Sequence, residues 1–140
     1  MRQAHVASLF LVLELASGCG TAPRLVSAVS FRLPPASLGH ALAWQQRLQF
    51  TAQGQAQPPL DALIEVDATS LRLAVVGAGQ TMARLAWDGQ LLQAEQGPGW
   101  PRAIPAEQVL SDLQLALWPL PVLQAVLPVD ATLTEEGPLR

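Results

Sequence analysis

The feature that most constrains the fold is a change of hydrophobic period along the chain. From Leu42 to Thr51 apolar and polar residues alternate strictly, which predicts a strand because successive strand side chains point to opposite faces. From Ala106 to Trp118 the pattern is helical instead, which predicts a helix. Its apolar stripe consists of Val109, Leu110, Leu113, Ala116 and Leu117. The order of the two patterns favours an α+β domain in which a sheet is followed by a helix.

The alternation continues through a series of short segments separated by turn residues. The further predicted strands are Leu60 to Asp67, Leu71 to Val76, Thr81 to Trp87, Gln90 to Glu95 and Ala131 to Glu135. The predicted turns are Gly54 to Pro59, Gly77 to Gly79, and Asp88-Gly89. Short connections between alternating runs favour successive antiparallel hairpins.

The predicted helix must bury a wide apolar surface. Pro105 suits a first helical turn, and Pro119 and Pro121 end the helix. A shorter helix is expected from Val122 to Leu127, before Pro128. The concave face of a curved antiparallel sheet can cover such a surface. We therefore expect a curved sheet around a helical plug, formed by one domain at residues 39–140.

The N-terminus has the features of an export signal. Arg2 precedes the apolar run Ala7 to Leu13, and small residues lead to Cys19. The run is shorter than the roughly 20 residues that span a bilayer. With Cys19 after Ala16-Ser17-Gly18, the segment resembles a bacterial lipobox, although Glu14 and the position of Leu15 depart from the usual pattern.

The lipobox resemblance implies that residues 1–18 are a lipoprotein signal peptide, that Cys19 is lipidated, and that residues 19–38 form a tether. Gly20 after the cysteine, where aspartate would favour the inner membrane, implies a periplasm-facing position on the outer membrane. An ordinary export signal with an incidental cysteine, and a buried N-terminal helix, are the alternatives.

Composition and residue content argue against several classes of function. Charged residues make up 14% of the chain and the formal net charge is −3, which disfavours a nucleic-acid binder. His40 is the one histidine after the predicted signal, so neither a metal set nor a catalytic base is apparent. Asp61, Glu65 and Asp67 share a predicted strand face, which is better explained as a solvated face than as a cation or acid–base site. We predict a protein without enzyme activity, metal or cofactor.

Five segments resemble a family of uncharacterised bacterial lipoproteins. They are Pro34 to Gly39, Gln45 to Leu48, Asp61 to Asp67, Leu85 to Gly89, and Asp112 to Pro119. The resemblance implies a layout similar to LolA and LolB, half-open barrels whose helical lid helps hold acyl chains, and a genomic setting near aryl-polyene or fatty-acid-type synthesis genes. It also implies further C-terminal strands that are missing from this chain.

The resemblance favours two functions. The first is a membrane-anchored lipoprotein that binds or hands over an acyl or polyene lipid between sheet and helix. The expected lining residues are Trp44, Leu48, Phe50, Ile64, Leu85, Trp87, Leu113, Leu117 and Trp118. The second is a non-catalytic accessory lipoprotein that holds an envelope protein. In either case Trp100, which lies in a Gly/Pro-rich loop, is expected to be a surface contact.

Overall fold

The computed structural model describes residues 29–49 and 51–134, and the chain divides into two units, Met1–Ser30 and Phe31–Arg140. The second unit carries every element described below. The strands are β1 (Leu42–Leu48), β2 (Thr51–Ala52), β3 (Gln55–Ala56), β4 (Leu60–Val66), β5 (Leu71–Gly77), β6 (Gln80–Trp87) and β7 (Leu92–Gln96). A 3₁₀ turn at Pro35–Leu38 precedes them, and helices α1 (Ala106–Leu117) and α2 (Leu120–Gln124) follow.

The strands form a curved, unclosed antiparallel sheet. Its order is β1-β4-β5-β6-β7, and the short pair β2-β3 lies between β1 and β4 in the chain. Every pairing is antiparallel. The α+β class and the meander are confirmed, with β7 displaced by one or two residues from its predicted bounds.

Two hairpin turns take their geometry from consecutive residues with positive φ. Gln53 and Gly54 have φ values of 54° and 75°, and Ala78 and Gly79 have 49° and 74°. Two such residues in a row define the type I′ turn, whose twist matches the flanking strands. The turn after β6 is held by a side chain. Asp88 Oδ1 accepts hydrogen bonds from the backbone N–H groups of Gln90 and Leu91.

One irregularity interrupts the ladder between β5 and β6. Val75 pairs with Ala83 and Val76 pairs with Thr81, so Met82 has no partner on β5. An extra residue of this kind is a β-bulge, which bends the strand and redirects a side chain. Here the Met82 thioether lies beside Gly77, and a Cβ atom added to Gly77 would be 2.6 Å from the Met82 sulfur.

The two faces of the sheet differ sharply. On the inner face, alternate residues of β4, β5 and β6 are buried: Ala62, Ile64, Val66, Leu71, Leu73, Val75, Ala83, Leu85 and Trp87. On the outer face, exposed ion pairs join neighbouring strands: Arg47 with Asp61, Arg72 with Glu65 and Asp67, and Arg84 with Glu95. The three carboxylates that share a predicted face therefore lie on a solvated surface, as expected.

Helix α1 begins after Pro105 and ends at Leu117, one residue earlier than predicted. Its buried side consists of Leu110, Ser111 and Gln114, whereas the predicted apolar stripe includes Ala116, which is exposed. The stripe prediction is wrong in this respect because two polar residues face inward to bond the backbone of another segment.

The C-terminal strand prediction is also wrong over the described residues. Residues 131–134 form no strand, and Glu135 lies outside the described part. Leu133 is instead held to α2, since Gln124 Nε2 donates a hydrogen bond to its carbonyl oxygen at 2.9 Å.

Candidate functional site: an apolar groove beside Trp100

Residues 31–38 of the chain itself reach the inner face of the sheet at Trp87, in the last row of paired residues at one end of the sheet. Phe31, Leu33 and Leu38 are buried, because the apolar side chains of this segment pack in the core with the inner face of the sheet. Their burial corrects the boundary of the predicted tether, since 31–38 belongs to the packed unit. Residues 19–28 of that tether lie outside the described part.

Polar groups of α1 and of the sheet fix this segment in place. Phe31 N donates to Ser111 Oγ at 2.9 Å. Leu33 N donates to Gln114 Oε1 at 2.8 Å, and Leu33 O accepts from both Gln114 Nε2 and Trp87 Nε1, each at 2.8 Å. Within the described chain, every buried side-chain nitrogen and oxygen has a hydrogen-bond partner. This part of the inner face is therefore a satisfied, filled core.

The predicted lining residues separate into three groups. Ile64, Leu85, Trp87 and Trp118 are buried in the filled core, and Trp118 Nε1 donates to Ser37 Oγ at 2.8 Å. Leu113 and Leu117 on α1 are half-buried. Trp44 and Leu48 on β1 are 47% and 38% exposed, because β1 is an edge strand. Phe50 lies outside the described residues.

An open apolar groove lies at the end of the inner face that the core leaves uncovered. Residues that pair with one another across neighbouring strands form a register row, and the row Leu48-Leu60-Gly77 lies at that end of the sheet. The groove has a volume of about 600 Å³. Its main apolar lining consists of Leu48, Pro58, Leu60, Met82, Trp100 and Ile104, and Gln49 and Gln57 are the polar residues of the lining.

The far wall of the groove is a loop, residues 97–105, held by hydrogen bonds. Gly97 N donates to Met82 O at 2.8 Å, which continues the β6–β7 pairing by one residue. Trp100 Nε1 donates to Ile104 O at 2.9 Å, and Gln96 Nε2 reaches the same oxygen at 3.2 Å. The indole is therefore half-buried and fixed, with its polar atom satisfied and its ring available to the groove.

Two glycines leave room for Met82 at the floor of the groove. A Cβ added to Gly77 would lie 2.5 Å from Leu60 Cδ2 and 2.6 Å from Met82 Sδ, and one on Gly99 would lie 2.8 Å from Met82 Cε. Leu60, Met82 and Ile104 were not among the predicted site residues. Leu60 was detectable from its place on the inner face of β4, but the bulge that redirects Met82 has no signal in the alternation.

The groove is suited to binding a ligand by burying its apolar surface. Its lining contains no acidic or basic side chain and no serine, cysteine or histidine. His40 is exposed at the start of β1. Over the described ranges, no cluster of three or more His, Cys, Asp or Glu residues is placed to hold a metal ion.

Two carboxyl groups with lowered pKa values lie in turns outside the groove lining. The pKa of Asp67 is lowered to about 2. The cause is hydrogen bonding: the Thr69 hydroxyl donates at 2.7 Å, and the N–H groups of Thr69 and Ser70 donate at 2.8 Å. The pKa of Asp88 is lowered by N–H donors of Leu91 and Gln90. Both carboxylates stabilise turns.

A second concavity, of about 490 Å³, lies on the outer face. Small side chains of Ala74 and Ala86 form its floor and the ion-paired Arg72 and Arg84 flank it. Charged, solvated walls make it less suited to an apolar ligand than the groove beside Trp100.

Comparisons with known proteins give a family and no activity. No curated protein and no solved structure matches the chain. Within residues 29–49 and 51–134, no helix has the length and hydropathy needed to cross a bilayer. A family model described as "Protein of unknown function (DUF3261)" matches residues 43–140. The chain therefore belongs to the DUF3261 family of proteins of unknown function.

Proposed function

We propose that this protein is a non-catalytic lipoprotein of the bacterial envelope that holds an acyl chain in the groove beside Trp100. The observation that carries the proposal is the groove itself, whose wall combines Leu48, Leu60, Met82 and Ile104 with the ring of Trp100. Ligand sites in proteins have volumes of roughly 300–1,000 Å³ and mostly apolar walls, and the groove meets both conditions.

The character of the wall favours a hydrocarbon tail over a charged head group. Each buried CH₂ contributes about 0.8 kcal/mol, so a tail gains affinity along its length without any ionic contact. Gln49 and Gln57 are the polar residues of the lining, and side-chain amides can hydrogen-bond an uncharged polar end. A free or esterified fatty acyl chain such as palmitate, or a polyene tail, fits this chemistry.

The place of the ligand differs from the one expected from the sequence. The space between the sheet and α1 is filled by Leu33, whose backbone is bonded to Gln114 and Trp87. A tail between sheet and helix would have to displace this segment and leave those hydrogen bonds unmade. The groove takes a tail without breaking any of them.

The membrane anchor belongs to the same proposal. We propose that residues 1–18 are removed as a signal peptide and that Cys19 carries the lipid, with the protein on the periplasmic side of the outer membrane. The support is the order of Arg2, the apolar run and the small residues before Cys19. A LolA- or LolB-like role in lipid handling is the corresponding proposal for the fold, supported by the curved, unclosed sheet.

One observation favours the accessory role as a second candidate. The core is filled and its polar groups are satisfied, so the protein does not need a lipid to complete its fold. In that case Trp100 and its neighbours would receive an apolar side chain of an envelope protein.

Native mass spectrometry followed by organic extraction tests the acyl-chain proposal. Residues 19–140 with Cys19→Ser, which correspond to the proposed mature protein without its lipid anchor, should carry a copurifying lipid when purified without detergent from an expressing cell. Leu60→Glu, which places a charge in the groove, should lower lipid occupancy by at least about tenfold. Leu63→Glu is the matched control, because Leu63 lies on the outer face of the same strand and is 41% exposed.

Each outcome favours one candidate. Lipid retained by Leu63→Glu and lost by Leu60→Glu supports the groove. Protein that is empty in the parent, or equally loaded in both variants, contradicts it and leaves the accessory role as the better account.

A further inference from the structure

The two edges of the sheet are built very differently. Edge strand β7 has five residues, carries Glu95, and runs into a loop that contains Pro98 and Pro101. Short length, charge and nearby proline are the devices that keep a sheet edge from pairing with another strand. Edge strand β1 also carries one charge, Arg47, but it is two residues longer and has no proline within three residues of either end.

Strand β1 is a regular seven-residue strand that contains neither proline nor glycine. All seven of its residues are in register with β4 without a bulge. Among the residues that the structure describes, no strand pairs with its other edge. A long and regular edge of this kind presents free N–H and C=O groups that can extend a sheet.

Six of the seven residues of β1 are exposed, whereas inner-face residues of the central strands β4 and β5 are buried. Trp44 occupies the same register row as Ile64 and Leu73, both of which are buried in the core. Trp44 itself is 47% exposed. A tryptophan in this position gains much by being covered, since large aromatic side chains dominate interface energetics.

The sequence of β1 is compatible with pairing to a copy of itself. In the antiparallel register that matches all seven residues, Gln45 lies on the two-fold axis and faces Gln45 of the second copy. Leu42 then lies opposite Leu48, Trp44 opposite Gln46, and Ala43 opposite Arg47. No two like charges face each other, and Arg47 is already neutralised by Asp61 at 3.1 Å.

We propose that β1 pairs antiparallel with β1 of a second copy, so that two five-stranded sheets join into one ten-stranded sheet. The Trp44 side chains would be covered in the joined sheet by the neighbouring copy. Stable interfaces bury roughly 800 Å² on each partner, and one strand whose exposed large apolar side chains are Trp44 and Leu48 supplies less. The dimer is therefore a reversible one with a micromolar dissociation constant. The proposal does not depend on whether the groove binds an acyl chain.

The experiment uses the full chain with Cys19→Ser, because Cys19 is its only cysteine. Gln45→Cys places a thiol on the proposed axis, where paired Cβ atoms lie about 5 Å apart. Gln93→Cys is the matched control, because Gln93 is the same residue type on the same face of the opposite edge strand. A short bismaleimide should give at least about tenfold more crosslinked dimer for Gln45→Cys, as expected for a site-specific contact.

A second pair of variants tests the contact without crosslinking. Trp44→Lys places a charge on the edge, and Ala94→Lys places the same charge at the other end of the same register row. By light scattering after size exclusion at about 100 µM protein, the parent and Ala94→Lys should be dimeric. Trp44→Lys should weaken association by at least about tenfold. Its circular dichroism spectrum should equal that of the parent, which shows that the variant is folded.

Two results would overturn the proposal. One is a parent that stays monomeric at this concentration, as it would if another extended segment occupied the edge. The other is the absence of a difference between an edge variant and its control, seen either as equal crosslinking of Gln45→Cys and Gln93→Cys or as equal dissociation of the two lysine variants. That result would indicate association without a defined edge.

Discussion

The side-chain amide of Gln114 makes both of its hydrogen bonds to one residue, Leu33. Its Oε1 accepts from Leu33 N and its Nε2 donates to Leu33 O, each at 2.8 Å. Gln114 is 0% exposed. Its amide gives the extended segment the two backbone hydrogen bonds that a neighbouring strand would otherwise supply. This contact holds the segment beside Trp87, at the end of the sheet opposite to Leu48, Leu60 and Gly77, and leaves the groove beside Trp100 as an open apolar space.

We predict that Gln114→Ala lowers the free energy of unfolding by about 1–3 kcal/mol, because the buried N–H of Leu33 loses its partner and Leu33 O keeps only the hydrogen bond from Trp87 Nε1. Gln108→Ala, at an exposed position of the same helix, should change it by less than about 0.5 kcal/mol. Urea unfolding followed by tryptophan fluorescence measures both. Equal effects of the two substitutions would show that the amide pair does not hold the segment.

The difference between this helix and its predicted face shows where sequence reasoning stops. Helical spacing located α1 to within one residue, because period and proline positions are local properties. The inward position of Ser111 and Gln114 depends on a segment about eighty residues away, so no local pattern in α1 reveals it. Only the presence of Phe31 and Leu33 beside them explains two polar residues on a buried stripe.

The groove was unpredictable for a similar reason. The strands that border it were correctly predicted from alternation, and the turn at Ala78-Gly79 was predicted from its glycines. The bulge that redirects Met82 and the folding of residues 97–105 onto Met82 are tertiary properties. Trp44 was expected inside the sheet, but the edge position of β1 leaves it exposed.

We predict that Gly77→Ala narrows the groove. Its new methyl group would push the Leu60 and Met82 side chains aside, which should cost about 1–3 kcal/mol of stability. The displaced side chains should also weaken acyl-chain binding by about tenfold. A fluorescent fatty-acid titration measures the affinity.

Gly79→Ala is the control for this substitution. Gly79 has a φ of 74° and nothing within 4 Å of an added Cβ, so alanine there should cost about 1 kcal/mol through backbone strain alone. Its affinity for the fatty acid should equal that of the parent. A matching loss of affinity in both variants would locate the ligand away from the floor of the groove.

We predict an acid-sensitive contribution from the turn at Asp67. Its pKa falls from 3.8 to about 2 on folding. A carboxyl group whose pKa is lower in the folded than in the unfolded protein stabilises the fold at pH values above the unfolded pKa. This contribution is lost as the pH falls from about 4 towards 2. Asp67→Asn keeps an acceptor oxygen for Thr69 but does not titrate, so its stability should depend less on pH in this window.

Unfolding midpoints between pH 5 and pH 2 check this prediction. Thr69→Val, which removes the hydroxyl donor and keeps the backbone donor, should give a pH dependence between those of the parent and Asp67→Asn. Identical slopes for the parent and Asp67→Asn would contradict the assignment.

The most direct test of the central claim is photocrosslinking with a diazirine-bearing palmitate, followed by mapping of the labelled residues by mass spectrometry. The account predicts label on the groove wall, at Leu60, Met82, Trp100 and Ile104, and competition by unlabelled palmitate. Label on the outer face around Ala74 and Ala86, or label that palmitate does not displace, would contradict it.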